Sequence, residues 1–360
     1  MKKYKIGIIG ATGMVGQRFV TLIANHPWFE LAVVAASPRS AGKTYEEATS
    51  GRWYMDSPVP QAAKNLVVLA VDSDISKITN NVDFVFSAVD MSKEQIKALE
   101  EAFAKAECPV ISNNSVFRET PDVPMIIPEI NPEHMSVIEL QRKRLGTKRG
   151  FVAVKSNCSI QSYVPALHPL KDKYGLERVL VCTYQAISGA GKTFETWPEM
   201  VNNIIPYIGG DEEGKSEREP LKIWGRVEKT GIVLADKPSI SAQCIRVPAC
   251  DGHMAAVHVS FKEKPEITEI KRIWRDYRGL PQELDLPSAP KQFLHYFDEI
   301  DRPQTKLDCG LENGMAISLG RLRQDTQYDY KFIGLSHNTL RGAAGGAVLM
   351  AELLCAQGYV

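Results

Sequence analysis

Three things are missing from this sequence: an excess of either charge, a closely spaced cysteine pair, and a long apolar run. Lys plus Arg and Asp plus Glu both number 43 in 360 residues, so the formal net charge is zero. With that balance no net charge advertises nucleic acid or an anionic membrane surface as a partner. The seven cysteines (Cys108, Cys158, Cys182, Cys244, Cys250, Cys309 and Cys355) are scattered and odd in number. No CxxC pair suggests a zinc site or a redox dithiol, and no metal site is expected. Free thiols fit a reducing compartment, and a cytoplasmic location is the expectation. No stretch approaches the roughly 20 apolar residues of a membrane helix. The basic start, Met1-Lys2-Lys3-Tyr4-Lys5, is followed by an apolar run broken at Gly10, which argues against a signal peptide. There is no internal repeat and no low-complexity segment. What remains, 44% hydrophobic and 24% charged residues, is the composition of a soluble globular protein. The length predicts two domains.

The first half alternates strands and helices. Lys5 to Ile9 reads as a buried strand, followed by Gly10-Ala11-Thr12-Gly13-Met14-Val15-Gly16 and an amphipathic helix to about Asn25. Strand, glycine turn and helix form the setting in which a backbone approaches a pyrophosphate and a helix N-terminus receives its charge. The other reading is a glycine turn made for helix–strand packing. Phe29 to Ala36 reads as the second strand. It ends not on an acidic residue but on Ser37-Pro38-Arg39-Ser40, with Lys43 beyond. A guanidinium and hydroxyls suit a ribose 2′-phosphate, which favours NADP over NAD; the alternative is a solvated basic loop. Leu66 to Val71, Phe84 to Ala88 and Cys108 to Ser112 are further strands, and Ser92 to Ala106 is helical. The alternation implies a Rossmann-like, doubly wound parallel sheet with ligands at the carboxyl ends of its strands. Arg118, beyond one such end, is a candidate anion ligand or simply a solvated charge.

The second half changes character. Val179 to Ala186, Ile232 to Ala235, Ser239 to Val247, Ala255 to Phe261, Ala316 to Leu322 and Tyr328 to Gly334 are strand-like. Glu195 to Asn203, Glu217 to Lys229 and Ile267 to Tyr277 read as helices, and Gly209 to Lys215 as a loop or helix start. An α+β domain with a mixed or antiparallel sheet is expected. One face of that sheet would pack against the first domain or a second subunit. Thr339 to Gln357 is apolar at helical spacing, and this last helix is expected to return to the first domain.

Between the halves, the run Phe151 to Val154 leads into Ser156-Asn157-Cys158, and a helical pattern over Gln161 to Tyr174 leads out. A cysteine at a helix N-terminus lies beside unpaired N–H groups, which lower its pKa and hold an oxyanion. The other reading is a small buried cysteine. A cysteine nucleophile needs a base and an anion site. Arg246 ends a strand-like run, and His253 follows the turn Asp251-Gly252. That spacing can bring a cation and an imidazole to one pocket; the other reading of His253 is a surface or hydrogen-bonded structural histidine.

Together these motifs resemble aspartate-semialdehyde dehydrogenase, from the first strand to the last helix. The match is carried by Gly10 to Gly16, Ser156-Asn157-Cys158, Tyr184 to Gly191, and Arg246 seven residues before His253. Arg246-Val247-Pro248, Asp251-Gly252-His253, Asn338-Thr339 and Arg341 to Gly345 resemble its archaeal and fungal branch. The resemblance implies an NADP-binding domain over 1–157, completed by 337–360, and a catalytic and dimerisation domain over 158–336. It also implies phosphate-requiring interconversion of L-aspartate 4-semialdehyde and L-aspartyl 4-phosphate, towards lysine, threonine and methionine, in a homodimer or homotetramer. By the resemblance, Cys158 is the nucleophile, His253 the acid–base residue and Gln185 the residue that orients substrate. Arg246 would take the α-carboxylate. Glu212 would take the ammonium, with Glu213, Glu217 and Glu219 as alternatives. Lys215, Arg118 and Asn157 would form the phosphate set. NADP would lie against Gly10, Thr12, Gly13, Met14, Val15, Ser37, Arg39, Ser40, Ser87, Ser188, Gly189 and Asn338. Malonyl-CoA reductase resembles the same branch but takes a CoA thioester. N-acetylglutamyl-phosphate reductase is more distant, and its substrate carries no free ammonium. A non-catalytic NADP-binding regulator would have no use for Cys158, Gln185, Arg246 and His253 together.

Overall fold

The structure, a computed structural model, describes residues 3–360. Short apolar runs separated by helices build a seven-stranded sheet from β1 (Tyr4–Ile9), β2 (Phe29–Ala36), β3 (Leu69–Ala70), β4 (Phe84–Ser87), β5 (Val110–Ser112), β6 (Met125–Ile126) and β7 (Val152–Lys155). The order is β3-β2-β1-β4-β5-β7-β6, and every pair is parallel. This is the doubly wound sheet expected from the alternating pattern. The third strand is shorter than its apolar run, because Leu66 and Val68 bond to the Lys43–Tyr45 segment instead of a neighbouring strand. β6 had no sequence signal.

Successive residues of a strand face opposite sides. Ile6 and Ile8 pack with Phe19, Phe86 and the last helix, Ala344–Ala356. Phe19 and Phe86 stack at 4.5 Å. That helix is buried all round, the condition of a helix apolar on every face. Its one charge, Glu352, accepts from the His26 ring nitrogen Nε2 at 2.8 Å and the Ser288 amide at 3.0 Å. The last helix thus returns to the first sheet, as the sequence implied. The helical pattern began too early, since Asn338 to Ala343 is a turn rather than helix.

The second sheet contains β8 (Leu176–Gln185), β11 (Ser239–Arg246), β12 (His253–Phe261), β13 (Leu294–Phe297), β14 (Ile317–Gln324) and β15 (Tyr330–Ser336). The hairpin β9 (Arg226–Glu228) and β10 (Gly231–Val233) stands apart. The six-stranded order is β11-β8-β12-β15-β14-β13, with parallel edges and antiparallel centre. Its inner face packs on the helices Val164–Tyr174 and Ile267–Asp276, where the Trp274 indole N–H donates to Ala166 O at 2.8 Å. Val181, Val257 and Leu319 from this sheet share one core with Ile9, Val85 and Val154 from the first.

Two helical expectations fail here. Glu195 to Asn203 forms only a short 3-10 turn, Pro198–Met200, because Pro198 and the asparagines at Asn202 and Asn203 break the run. The helix expected over Glu217 to Lys229 instead spans Glu212–Ile223, and β9 begins at Arg226.

Candidate active site

β7 delivers the chain to Ser156-Asn157-Cys158, but not directly to an α-helix. A 3-10 turn, Ser159–Ser162, follows, and the helix Val164–Tyr174 starts only after Tyr163. The Ser159 amide and hydroxyl both donate to Asn157 Oδ1 at 2.7 Å. A backbone donor expected to be free beside the thiol is therefore taken. Burial, with the Glu212 carboxylate nearby, pushes the Cys158 thiol up to about 11, against the pull of Lys155, Arg118 and Arg246. The thiol pKa lowered by a helix N-terminus is thus overturned for the free protein.

The helix Glu212–Ile223 sorts its acidic residues by face. Glu213 and Glu217, one turn apart, accept the backbone amides of Cys244 and Ala242 on edge strand β11 at 3.1 and 3.0 Å. Glu212, Lys215 and Glu219 lie on the face turned to Asn157. Glu212 accepts from Asn157 Nδ2 at 2.8 Å, Gln185 Nε2 at 3.4 Å and Lys215 Nζ at 3.4 Å. Glu219 accepts the Asn157 amide at 2.6 Å and Arg118 Nη1 at 2.9 Å. Arg118 is thus an ion-paired residue rather than a solvated charge. Its remaining Nε is buried without a partner. Arg118 and Lys215 line a cavity of about 800 Å³ with Lys93, Lys97, Arg218 and Lys222.

Strand register assembles the facing wall. β8 runs parallel to β11 with Gln185 opposite Arg246, while β12 starts antiparallel beside them at His253. Three residues distant in sequence therefore reach one end of the sheet. Arg246 Nη1 donates to Ala186 O at 2.7 Å, and the Ala186 amide donates to His253 Nδ1 at 3.1 Å. An accepting Nδ1 leaves the proton of the neutral ring on Nε2. Nε2 is buried and has no partner. Burial, with Arg246 adjacent, pushes His253 down to about 3. A side chain at Gly189 would come within 2.9 Å of His253 Nε2 and 3.1 Å of Arg246 Nη1, so only glycine lets this loop pass. Asn338 pins the wall: its Oδ1 accepts the Gly252 amide, and its Nδ2 donates to Ser188 Oγ, both at 2.8 Å. Ser188 Oγ in turn donates to Asp251 at 2.7 Å.

The glycine loop fits a dinucleotide. Gly10 has φ +81°, and a Cβ there would lie 2.3 Å from Ala88 O; one at Gly16 would lie 2.2 Å from Gly10 O. Gly13 starts the helix Met14–Ile23 with no side-chain cap, leaving its first amides for a phosphate. Thr12, Met14 and Val15 are part-exposed in this loop. A cavity of about 110 Å³, lined by Met14, Arg18, Ser188, Lys192, Asp251 and Thr339, joins the loop to the second wall. Ser37 and Arg39 are exposed at the end of β2, whereas Ser40 is buried and accepts Arg52 Nη2 at 2.9 Å. Ser87 is buried at the end of β4 and accepts Asn114 Nδ2 at 3.1 Å. Arg18 and Arg52 carried no signal distinguishing them from other surface arginines. Lys155 is marked only by position, as the one charge ending the apolar run that enters the cysteine turn.

Residues 5–138 match the family model described as semialdehyde dehydrogenase, NAD binding domain, and residues 167–341 match semialdehyde dehydrogenase, dimerisation domain. The chain is 41% identical over 351 residues to aspartate-semialdehyde dehydrogenase of Methanothermobacter thermautotrophicus, covering 97% of this chain and 98% of that one. It resembles the crystal structure of aspartate semialdehyde dehydrogenase with NADP from Candida albicans, with TM-score 0.89, 37% identity and 100% of both chains covered. Aspartate semialdehyde dehydrogenase II complexed with ASA from Vibrio cholerae aligns with TM-score 0.75 at 26% identity, covering 99% of this chain and 100% of that one.

Proposed function

The chain belongs to the aspartate-semialdehyde dehydrogenase family, and from that premise we propose how its own residues carry the reaction. It is an NADP-dependent oxidoreductase acting on aspartate semialdehyde. The dimerisation-domain match points to a homo-oligomer. No helix among the described residues is long and apolar enough to cross a membrane. One observation carries the site assignment: Cys158, Gln185, Glu212, Arg246 and His253 converge from five separate segments.

In the reductive direction Cys158 ionises and its thiolate attacks the acyl carbon of aspartyl 4-phosphate, and phosphate leaves with the bonding electron pair. The product on the cysteine is a thioester. When bound, NADPH supplies the hydride that reduces the thioester carbon. His253 Nε2–H, free of any protein partner, donates a hydrogen bond to the oxyanion that develops there. Collapse of the hemithioacetal expels the Cys158 thiolate and releases the aldehyde. Arg246 takes the α-carboxylate through its guanidinium. Glu212, already the acceptor for Asn157, Gln185 and Lys215, takes the α-ammonium, a group that a CoA thioester lacks. Arg118 and Lys215 hold the phosphate, with Asn157 tying that site to the cysteine turn.

The test is NADP reduction by aspartate semialdehyde, with and without phosphate, in the wild type and in Cys158→Ala. Phosphate-dependent turnover that Cys158→Ala abolishes is expected. Turnover of malonyl-CoA in its place, or activity surviving in Cys158→Ala, would overturn the assignment.

A further inference from the structure

Lys155 is a buried cation that the mechanism above does not use. It ends β7, three residues before Cys158, and is 2% exposed. Its Nζ has one protein partner, the neutral Ser156 carbonyl, at 2.8 Å. Among the described residues no carboxylate lies within ion-pair distance of it. Every other charge around it is committed. Arg341 pairs with Glu129, and Arg118 pairs with Glu219. The stem passes the last helix, where a Cβ on Gly346 would come within 3.1 Å of Lys155 Cε. That glycine makes room for the lysine.

A buried ammonium without an anion is costly, so its retention calls for one that appears during function. The thiolate of Cys158 meets that need. We propose that Lys155 is the counter-ion of the Cys158 thiolate, a positioning residue that acts through the cysteine.

Two arguments support the pairing. The influence is mutual: Lys155 is the first group to favour ionised Cys158, and Cys158 is the first to favour charged Lys155. Burial otherwise pushes the lysine down to about 7. The second argument is one of supply. Arg118 and Arg246 also favour the thiolate, but phosphate and the α-carboxylate would neutralise them once substrate binds. Glu212 opposes the thiolate, Glu219 favours charged Lys155, and Arg118, Arg341 and the neutral His253 complete the groups facing the pair. Lys155 is the cation left for sulfur when substrate occupies the site.

The inference rests on Cys158 being the nucleophile, yet it is read without turnover. Alkylation of Cys158 by iodoacetamide is followed by peptide mass spectrometry across pH in the full-length protein. In Lys155→Met the midpoint should rise by about one unit or more, about a tenfold slower reaction at neutral pH. Lys155→Arg should stay near the wild type. Circular dichroism and NADP binding report the fold. A Lys155→Met midpoint equal to the wild type would overturn the pairing. Loss of thermal stability alone, with the thiol midpoint unmoved, would assign Lys155 to holding the Ser156 carbonyl. Activity persisting in Cys158→Ala would instead sink the parent assignment.

Discussion

Burial and charge pull the reactive side chains in opposite directions. The Cys158 thiol is raised to about 11 and the His253 imidazole lowered to about 3, so both rest uncharged. A neutral histidine with its proton on Nε2 is a hydrogen-bond donor, which suits an oxyanion better than it suits removal of the thiol proton. Arg246 presents a planar fork that a lysine cannot copy. Arg246→Lys should therefore raise the KM for aspartate semialdehyde by at least about tenfold, the equivalent of ~1.4 kcal/mol. Steady-state kinetics at saturating NADP would show it, and a near-wild-type KM would count against carboxylate binding. Away from the site, burial pushes His134 down to about 4 while the Asn131 side chain and the Gly225 carbonyl hold its ring. Unfolded, it titrates near 6.5. Below that pH the unfolded chain binds a proton that the folded chain refuses. His134 therefore stabilises fully above 6.5 and progressively less as pH falls towards 4. At pH 5 the loss is about 2 kcal/mol. Urea unfolding at pH 7 and pH 5 should show this loss, and His134→Gln should shrink the difference.

The helix Glu212–Ile223 does two jobs at once because its faces are a few residues out of phase. Glu213 and Glu217 cover donors on an exposed edge strand, while Glu212, Lys215 and Glu219 face the cysteine turn. Replacing both Glu213 and Glu217 with alanine should destabilise by about 1–3 kcal/mol through the uncovered amides. KM should stay the same, and a parallel rise in KM would mean that they also hold substrate. The strand–turn–helix at the N-terminus is equally specific. Gly16→Ala puts a Cβ against Gly10 O and pushes the helix off the strand. NADP affinity should fall more than about tenfold while aspartate semialdehyde still binds, measurable by isothermal titration.

At the scale of the whole molecule, one buried ion pair locks the two sheets around the site. Arg341 Nη1 and Nη2 donate to Glu129 at 2.7 and 2.5 Å, Nε donates to Gln161 at 3.1 Å, and the guanidinium lies 4.5 Å over the Phe293 ring. The four residues come from the first-sheet region, the cysteine turn, the second-sheet approach and the turn before the last helix. Glu129→Gln keeps the shape and removes the charge. It should destabilise by about 3–5 kcal/mol, because Arg341 stays buried and unpaired. Chemical denaturation would measure this. A change below about 1 kcal/mol would show the pair to be dispensable.

The sequence alone determined what depends on neighbours along the chain. Hydrophobic period identified β1, β2, β4 and the helix Lys93–Lys105 nearly to the residue, and the spaced glycines marked the dinucleotide turn. It also singled out Cys158, Arg246 and His253, because a nucleophile, a cation and a base are recognisable by type. Tertiary structure decided what depends on partners far along the chain. Register between β8, β11 and β12 places Gln185 and Arg246 beside His253. Helix phase, not composition, separates Glu212 from Glu213 and Glu217. The expected low-pKa thiol failed because Asn157 occupies the Ser159 amide and because burial outweighs the cations. Lys155 was visible as a letter but silent as chemistry, since a lysine becomes a counter-ion only when the fold removes its water.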